Sequence, residues 1–188
     1  MHDGLIPTVE TIKKMGYDGV EMPLFDPNPQ LYEEWGKKLD DIGLERTAVT
    51  IRGPEDNPIS PSASVRSAAL DAMKKTIDCC HASGVKLLAG PTHSALGEFS
   101  GCGPTDDEIK WGVETMRQVA EYASTADVTI VVEYLNRFEN YFLTSINNSS
   151  IVFYRLQEII NHNFRMKLTS RSIRVKCELG TNIAINFI

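Results

Sequence analysis

Two carboxylates, Glu133 and Glu139, stand in the segment VVEYLNRFENY, and the first directly follows the apolar run Ile130–Val132. These β-branched residues predict a buried strand. A carboxylate at the end of a buried strand can bind a hard divalent cation or transfer a proton. The alternative is a strand-end glutamate that pairs with Arg137, and Glu139 by itself fits a solvated loop acid equally well. The apolar run before Glu133 favours the functional interpretation of that residue.

Other polar residues follow the remaining predicted strands. In parallel βα folds the carboxyl ends of the strands and the loops after them form one rim, where ligands bind. The residues gathered by this rule are Glu21 and Asp26, Arg52 with Asn57, His93 and Glu98, and Glu133 with Glu139. Such a set suits a divalent cation and a polyhydroxylated ligand, because carboxylates coordinate Mg²⁺ or Mn²⁺ and the metal polarises a carbonyl.

Two of these residues have ordinary structural alternatives. Glu21 ends the predicted strand in GVEMPLFD, where a glutamate can simply hold a neighbouring loop. His93 lies in a glycine-rich loop and can contact a metal or a substrate, although a lone histidine is more often structural. Both alternatives remain open from the residues alone.

The elements that must position these side chains follow from hydrophobic periodicity. The predicted helices are Ile6–Met15, Leu31–Ile42, Ser64–Ser83 and Asp106–Ser124, and the predicted strands are Gly19–Leu24, Leu44–Ile51, Val85–Ala89 and Val128–Glu133. Alternation of short apolar strands with long helices indicates an α/β protein with a parallel sheet. The pattern fits a (β/α) barrel or an open doubly wound sheet.

The last part of the chain has a different composition. Only one of the 13 glycines, Gly180, follows Ser145. From Thr144 onward the chain carries six basic and two acidic residues, so this part has a charge of +4 and the remainder −10 within the total of −6. We therefore predict a barrel-like domain over residues 1–145 and a divergent tail over residues 146–188.

Composition restricts the function classes. The 188 residues are 42% hydrophobic and carry a net charge of −6, which gives no electrostatic case for nucleic acid or an anionic membrane surface. The start of the chain does not have the pattern of a signal peptide. Its four cysteines form no C-x-x-C pair, which favours free thiols in a reducing cytoplasm.

The segments GYDGVEMPLFDP, LERTAVTI, VKLLAGPTHSALGEFSG and VVEYLNRFENY together resemble the xylose-isomerase-like TIM barrels. Within them the chain is most similar to the sugar phosphate isomerase/epimerase group with the D-tagatose and D-psicose 3-epimerases, over roughly residues 4–145. The resemblance implies a divalent metal, Mn²⁺ or Mg²⁺, and a sugar or sugar phosphate as substrate. It implies that Glu133 is both a metal ligand and the residue that exchanges a proton through an enediolate. Glu139, and at the same rim His93 and Glu21, would contact the substrate.

The chain also departs from this family. The resemblance implies further ligands in D-T-x-H, a later histidine and a second catalytic glutamate, but Leu168–Arg171 stands where D-T-x-H is expected. We therefore expect a partial (β/α)8 TIM barrel, about half of one, with an atypical or frame-shifted tail and little or no activity alone. A half barrel exposes two strand edges, which favours homo-oligomers unless the tail or another chain covers them. The alternatives are a hydroxypyruvate isomerase or inosose dehydratase type of enzyme, or a non-catalytic binding or assembly fragment.

Overall fold

The computed structural model of the chain describes residues 1–144 and residues 183–184. Helices and strands alternate along this part of the chain. The helices are α1 (Ile6–Lys14), α2 (Pro29–Ile42), α3 (Ala63–Ser83) and α4 (Asp106–Thr125), and the strands are β1 (Gly19–Pro23), β2 (Glu45–Val49), β3 (Leu87–Ala89), β4 (Thr129–Ile130) and β5 (Ile183–Ala184). The predicted helices and the first four predicted strands are confirmed, with bounds within two residues of the prediction except at the end of β4.

The helices begin and end at residues whose chemistry suits these places. The Asn28 side chain caps α2 by accepting a hydrogen bond from the backbone of Leu31 at 3.3 Å, and Gly43 ends this helix with a left-handed φ of 78°. Thr105 and Glu108 form a reciprocal capping box at the start of α4. Within the described residues, none of the helices has the length and apolarity that a bilayer crossing requires.

All strand pairs of the sheet are parallel, in the order β4-β3-β2-β1-β5. Residues Met22, Ala48, Leu88 and Ile130 lie side by side across four strands and are all buried in the core under the helices. The alternate positions, including Glu21 and its neighbour Thr47, point to the opposite face and are half-buried. The sheet therefore has one face covered by helices and one more open face, as expected for part of a barrel wall.

Strand β4 is shorter than predicted. The regular strand ends at Ile130, not at Glu133. Its hydrogen bonds nevertheless continue, because Val131 N–H donates to the carbonyl of Leu88 at 2.8 Å and Glu133 N–H donates to the carbonyl of Gly90 at 3.2 Å. The neighbouring backbone leaves the regular strand conformation at Gly90, where φ is 122°. Regular pairing therefore stops while the backbone of Glu133 stays attached to the end of β3.

The predicted tail contributes one described element. Strand β5 lies beside β1, with Ile183 next to Gly19 and Ala184 next to Val20. The β1 edge, which we expected to be exposed unless the tail or another chain covered it, is thus paired by the tail over two residues. The rest of the tail lies outside the described residues, so the predicted boundary near residue 145 stays a prediction.

Candidate active site at the carboxyl ends of the strands

Glu133 lies three residues after β4, at the rim formed by the carboxyl ends of the parallel strands, and it is half-buried. Its backbone is fixed on both sides. The N–H donates to the carbonyl of Gly90 at 3.2 Å, and the carbonyl accepts a hydrogen bond from Nε2 of His93 at 3.0 Å. The main chain that carries the carboxylate is therefore tied to the end of β3 and to the loop after it.

Glu139 lies in the same loop, which Leu135 N–H closes by donating to the carbonyl of Leu143 at 3.1 Å. The amide of Asn136 donates to the carboxylate of Glu139, and the backbone carbonyl of Glu139 accepts from Gly97 N–H at 3.0 Å. Glu139 is half-buried, with its carboxylate held by its own loop and its backbone held by the loop after β3. The structure thus places both predicted carboxylates on one short, well-bonded loop.

His93 is 1% exposed, and both of its ring nitrogens have partners inside the protein. Nδ1 lies 2.8 Å from the Ser94 hydroxyl oxygen, and Nε2 lies 3.0 Å from the carbonyl oxygen of Glu133. Burial lowers the pKa of His93 from 6.5 to about 4, against the opposing effect of the hydrogen bond to Glu133. The ring is therefore neutral at pH 7 and packs against Phe142. The predicted substrate contact of His93 stays a prediction, while the geometry gives its nitrogens a role in holding Glu133.

Glu21 lies in the middle of β1 and not at its end, which corrects the predicted placement. It is half-buried on the open face of the sheet beside Thr47, whose hydroxyl forms a hydrogen bond with it. Burial raises the pKa of Glu21 above 4.5, and the hydrogen bond with Thr47 opposes this change. Glu21 thus lies on the face that is the lumen side in a complete barrel, below the rim.

The other polar residues of the predicted rim fall into two groups. Asp26 and Glu98 are exposed. Arg52 is buried and forms an ion pair of 2.7 Å with Asp56, while the Asn57 side chain accepts a hydrogen bond from the backbone of Ala95 at 3.1 Å. Arg52 and Asn57 are therefore used to join loops, and the prediction that the set faces a ligand stays a prediction.

Sequence reasoning missed two buried residues of the rim, Ser94 and Asn140. The amide of Asn140 donates to the Ser94 hydroxyl oxygen at 2.8 Å and to the carbonyl of Ala95 at 3.2 Å. Its carbonyl oxygen accepts from Phe142 N–H at 2.6 Å. The available signal was a single amide next to the apolar run Tyr141–Leu143, where an unpaired polar side chain would be costly.

A cavity of about 370 Å³ lies between the loops after β1 and β2 and helix α3. It is lined by Leu24, Phe25, Thr50, Arg52 and Asp56, among others, and Glu133 is not one of its lining residues. Neither Glu133 nor Glu139 therefore lines this cavity.

The ligand set of a divalent cation is incomplete in this part of the chain. Among residues 1–144 and 183–184, no three His, Cys, Asp or Glu side chains gather closely enough to hold a metal ion. A transition-metal or Mg²⁺ site needs several oxygen or nitrogen ligands in a defined geometry. Glu133 has the right chemistry for one of them, but the described residues alone do not fit a complete metal site.

Comparison with known proteins decides the family. A sequence profile described as "Xylose isomerase-like TIM barrel" matches residues 9–162, which is most of the chain. The chain belongs to the xylose isomerase-like TIM barrel family. The match continues beyond residue 145 into the part predicted as a tail. The fold and the family that the motifs indicated are thereby confirmed.

Relatives within the family are ketose 3-epimerases. The chain is 27% identical over 139 residues to an L-ribulose 3-epimerase of Mesorhizobium japonicum, and this alignment covers 73% of this chain and 46% of that protein. It is 26% identical over 143 residues to a D-psicose 3-epimerase of Agrobacterium fabrum, with 74% and 50% covered. The chain spans about half the length of the curated relatives it matches, and these relatives place it in a sugar epimerase lineage.

A solved structure supports the fold separately. The D-allulose 3-epimerase of Methylomonas sp., crystallised with D-allulose, superimposes with a TM-score of 0.78 at 20% identity over 88% of this chain and 56% of that one. At this identity the likeness shows the fold alone. The described strands and helices therefore form a partial barrel.

Proposed function

We propose that this chain carries part of the active site of a ketose 3-epimerase, in which Glu133 exchanges a proton with the substrate carbon next to the carbonyl. One observation carries the proposal. The segment E-x-L-N-R-F-E holds Glu133 and Glu139 on one loop at the carboxyl end of β4, and the Glu133 backbone is fixed to Gly90 and His93. The relatives that share this family act, by their names, on ketoses such as D-psicose and L-ribulose.

The chemistry assigned to the two carboxylates differs. Glu133 acts as a base that removes the proton from C3 of a ketose, so that an enediolate forms, and a second acid on the opposite face of the sugar gives C3 a new proton. Glu139 accepts hydrogen bonds from substrate hydroxyls next to the carbonyl. Glu21 on the open face completes the proposed contacts with a small-molecule sugar or sugar phosphate, and His93 contributes by holding the backbone of Glu133.

For a divalent metal, Mn²⁺ or Mg²⁺, we propose only that this chain supplies one ligand. Glu133 would be that ligand, and a bound cation would polarise the ketose carbonyl. The described residues do not complete the site, and we derive no step through the metal. We propose accordingly that the 188-residue chain alone does not catalyse turnover, because inversion at C3 needs a second acid on the opposite face of the sugar.

The test is an assay of the purified chain with Mn²⁺ and D-psicose, D-fructose or L-ribulose, followed by chromatography of the sugars. We expect no epimer above the level seen with the Glu133→Gln variant. When the chain is co-expressed with the half of the Agrobacterium enzyme that it does not match, any recovered activity should disappear in Glu133→Gln. Recovered activity that survives this substitution would contradict the role of Glu133.

A second candidate function is assembly, favoured by a strand edge that has no neighbour among the described strands. Within the described part of the chain, β4 pairs with β3 on one side and has no described strand on the other. Such an edge can pair with another chain. Light scattering after size-exclusion chromatography, with and without Mn²⁺, separates the candidates: a metal-independent oligomer supports assembly, and a metal-dependent change supports a metal site.

For the monomer or the oligomer alike, we propose a cytoplasmic location.

A further inference from the structure

Three buried neutral side chains form a continuous hydrogen-bonded chain that ends on the backbone of Glu133. The amide of Asn140 lies 2.8 Å from the hydroxyl oxygen of Ser94, which lies 2.8 Å from Nδ1 of His93. Nε2 of His93 lies 3.0 Å from the carbonyl oxygen of Glu133. Asn140 is fully buried and the other two side chains are 1% exposed, so water does not replace these partners.

The donors and acceptors of this chain have one consistent direction. The Glu133 carbonyl can only accept, so Nε2 of His93 must carry the proton and Nδ1 must accept. Ser94 therefore donates its hydroxyl proton to Nδ1, and its oxygen accepts from the amide of Asn140. The lowered pKa of His93, caused by burial, agrees with the neutral ring that this order requires.

The same series of hydrogen-bonded side chains connects three loops of the rim. The amide of Asn140 also donates to the carbonyl of Ala95 at 3.2 Å, and the backbone N–H of Ala95 donates to the Asn57 side chain at 3.1 Å. The loops after β2, β3 and β4 are thereby joined through side chains as well as backbone. A displacement of one loop breaks the hydrogen bonds of the others.

We propose that His93, Ser94 and Asn140 are positioning residues that set the main-chain position of Glu133 and its loop, with the Nε2–H of His93 as the contact that matters most. The inference rests on the proposed function for what Glu133 then does, but the positioning itself is a property of the loops. His93 acts here through the backbone of Glu133 and not by touching the reacting atoms.

Two substitutions at position 93 separate a specific hydrogen bond from simple packing. In His93→Gln the side-chain amide can reach the position of Nε2 and still donate to Glu133. In His93→Asn the shorter amide reaches only the position of Nδ1, so the bond to Ser94 can form and the bond to Glu133 cannot. Val9→Ala in α1 serves as a control, because it removes buried apolar atoms from a helix that takes no part in these hydrogen bonds.

The readout is amide hydrogen exchange of the full chain. We expect His93→Asn to speed the exchange of Leu135 and Gly97 amides, which bond to Leu143 and Glu139, by about tenfold or more. We expect His93→Gln to stay within about threefold of the unchanged protein at these amides. The Glu45 amide, which bonds to Asp18 at the amino ends of the strands, is the reference amide. In each histidine variant its exchange should change only as much as the global stability of that variant changes, as it does in Val9→Ala.

Equal acceleration in the two histidine variants would overturn the proposal, because it would show that the volume of the ring and not its Nε2–H holds the loop. The proposal would also be overturned if the Leu135 and Gly97 amides exchanged no faster in His93→Asn than they do in Val9→Ala. The proposed function is judged separately, by Mn²⁺-induced broadening of the Glu133 amide signal in the same samples. Absence of broadening in the unchanged protein counts against the proposed function and leaves the exchange result to decide the positioning role.

Discussion

At the amino ends of the strands Lys86 and Asp127 form an exposed ion pair of 2.7 Å, whereas at the carboxyl ends His93, Ser94 and Asn140 form a buried neutral chain. Both arrangements join neighbouring loops of the sheet. Exposed ion pairs contribute little because water and salt screen them. Buried hydrogen bonds are costly to break, since the partner left behind has no water to replace them. The rim that carries Glu133 is thus the more rigidly specified end of the molecule.

The largest expected contrast concerns two glycines with positive φ. Gly90 follows β3 with a φ of 122°, and a Cβ there would lie 2.1 Å from the carbonyl oxygen of Thr50. Gly16, at the amino end of β1, has a φ of 86°, and a Cβ there would have no neighbouring atom within 4 Å. We expect Gly90→Ala to lower the free energy of unfolding by about 4 to 5 kcal/mol, and Gly16→Ala by about 1 kcal/mol. Urea unfolding followed by circular dichroism measures both, and equal losses would remove the distinction between the two ends.

The next contrast concerns the buried amide and the exposed ion pair. Asn140→Ala leaves the Phe142 N–H, the Ala95 carbonyl and the Ser94 hydroxyl without their partner, so we expect a loss of about 4 kcal/mol in unfolding free energy. Asp127→Asn is the matched change at the amino ends, because it removes the charge that pairs with Lys86 and keeps a side chain suited to the left-handed φ of 56° at this position. It should change the free energy of unfolding little, and 0.5 M salt should remove most of that change. A substantial, salt-independent loss in Asp127→Asn would show that the amino ends are held as firmly as the rim.

Acid should weaken the rim selectively through His93. Its pKa is about 4 in the folded protein and near 6.5 when unfolded, so the unfolded chain takes up a proton first as the pH falls. The free energy of unfolding should therefore fall between pH 6.5 and about 4, by on the order of 3 kcal/mol from this group. Below that window the contribution is constant. Glu21, whose pKa is raised by burial, changes stability in the opposite direction on acidification.

His93→Gln isolates the histidine contribution, because it keeps a donor and removes the titration. The difference in unfolding free energy between pH 7 and pH 4 should be smaller in this variant by the same order of 3 kcal/mol. If the acid loss is the same in the unchanged protein and in His93→Gln, then His93 is not the group responsible.

The repeated elements were predictable because each depends on local signals. Apolar residues at helical spacing and the glycine that ends α2 identify that helix from its own residues, and the capping pair Thr105 and Glu108 identifies the start of α4. The rim position of Glu133 followed from the rule that parallel strands present their carboxyl ends together. These inferences needed no knowledge of which loops touch.

The rest depends on contacts between distant residues. The burial of His93 and Asn140 arises where the loops after β3 and β4 close on each other, 46 positions apart for the Asn140–Ser94 hydrogen bond. The early end of β4 coincides with the backbone turn at Gly90, which directly follows the neighbouring strand β3. The two-residue pairing of β5 with β1 is too short to leave a periodic signal in the sequence. Local patterns therefore located the candidate carboxylates but not the hydrogen-bonded side chains of His93, Ser94 and Asn140 that hold their loop.

Above all, we propose that Glu133 presents a metal-binding, proton-exchanging carboxylate at the rim. The most direct measurement is the loss of backbone amide signals on titration with Mn²⁺, by nuclear magnetic resonance, in the unchanged chain and in Glu133→Gln. We predict weak binding, with a dissociation constant on the order of millimolar because the described ligand set is incomplete. Broadening should centre on Glu133 and Glu139 and disappear in Glu133→Gln. Broadening that centres on the amino ends of the strands, or that is unchanged in Glu133→Gln, would contradict this role of Glu133.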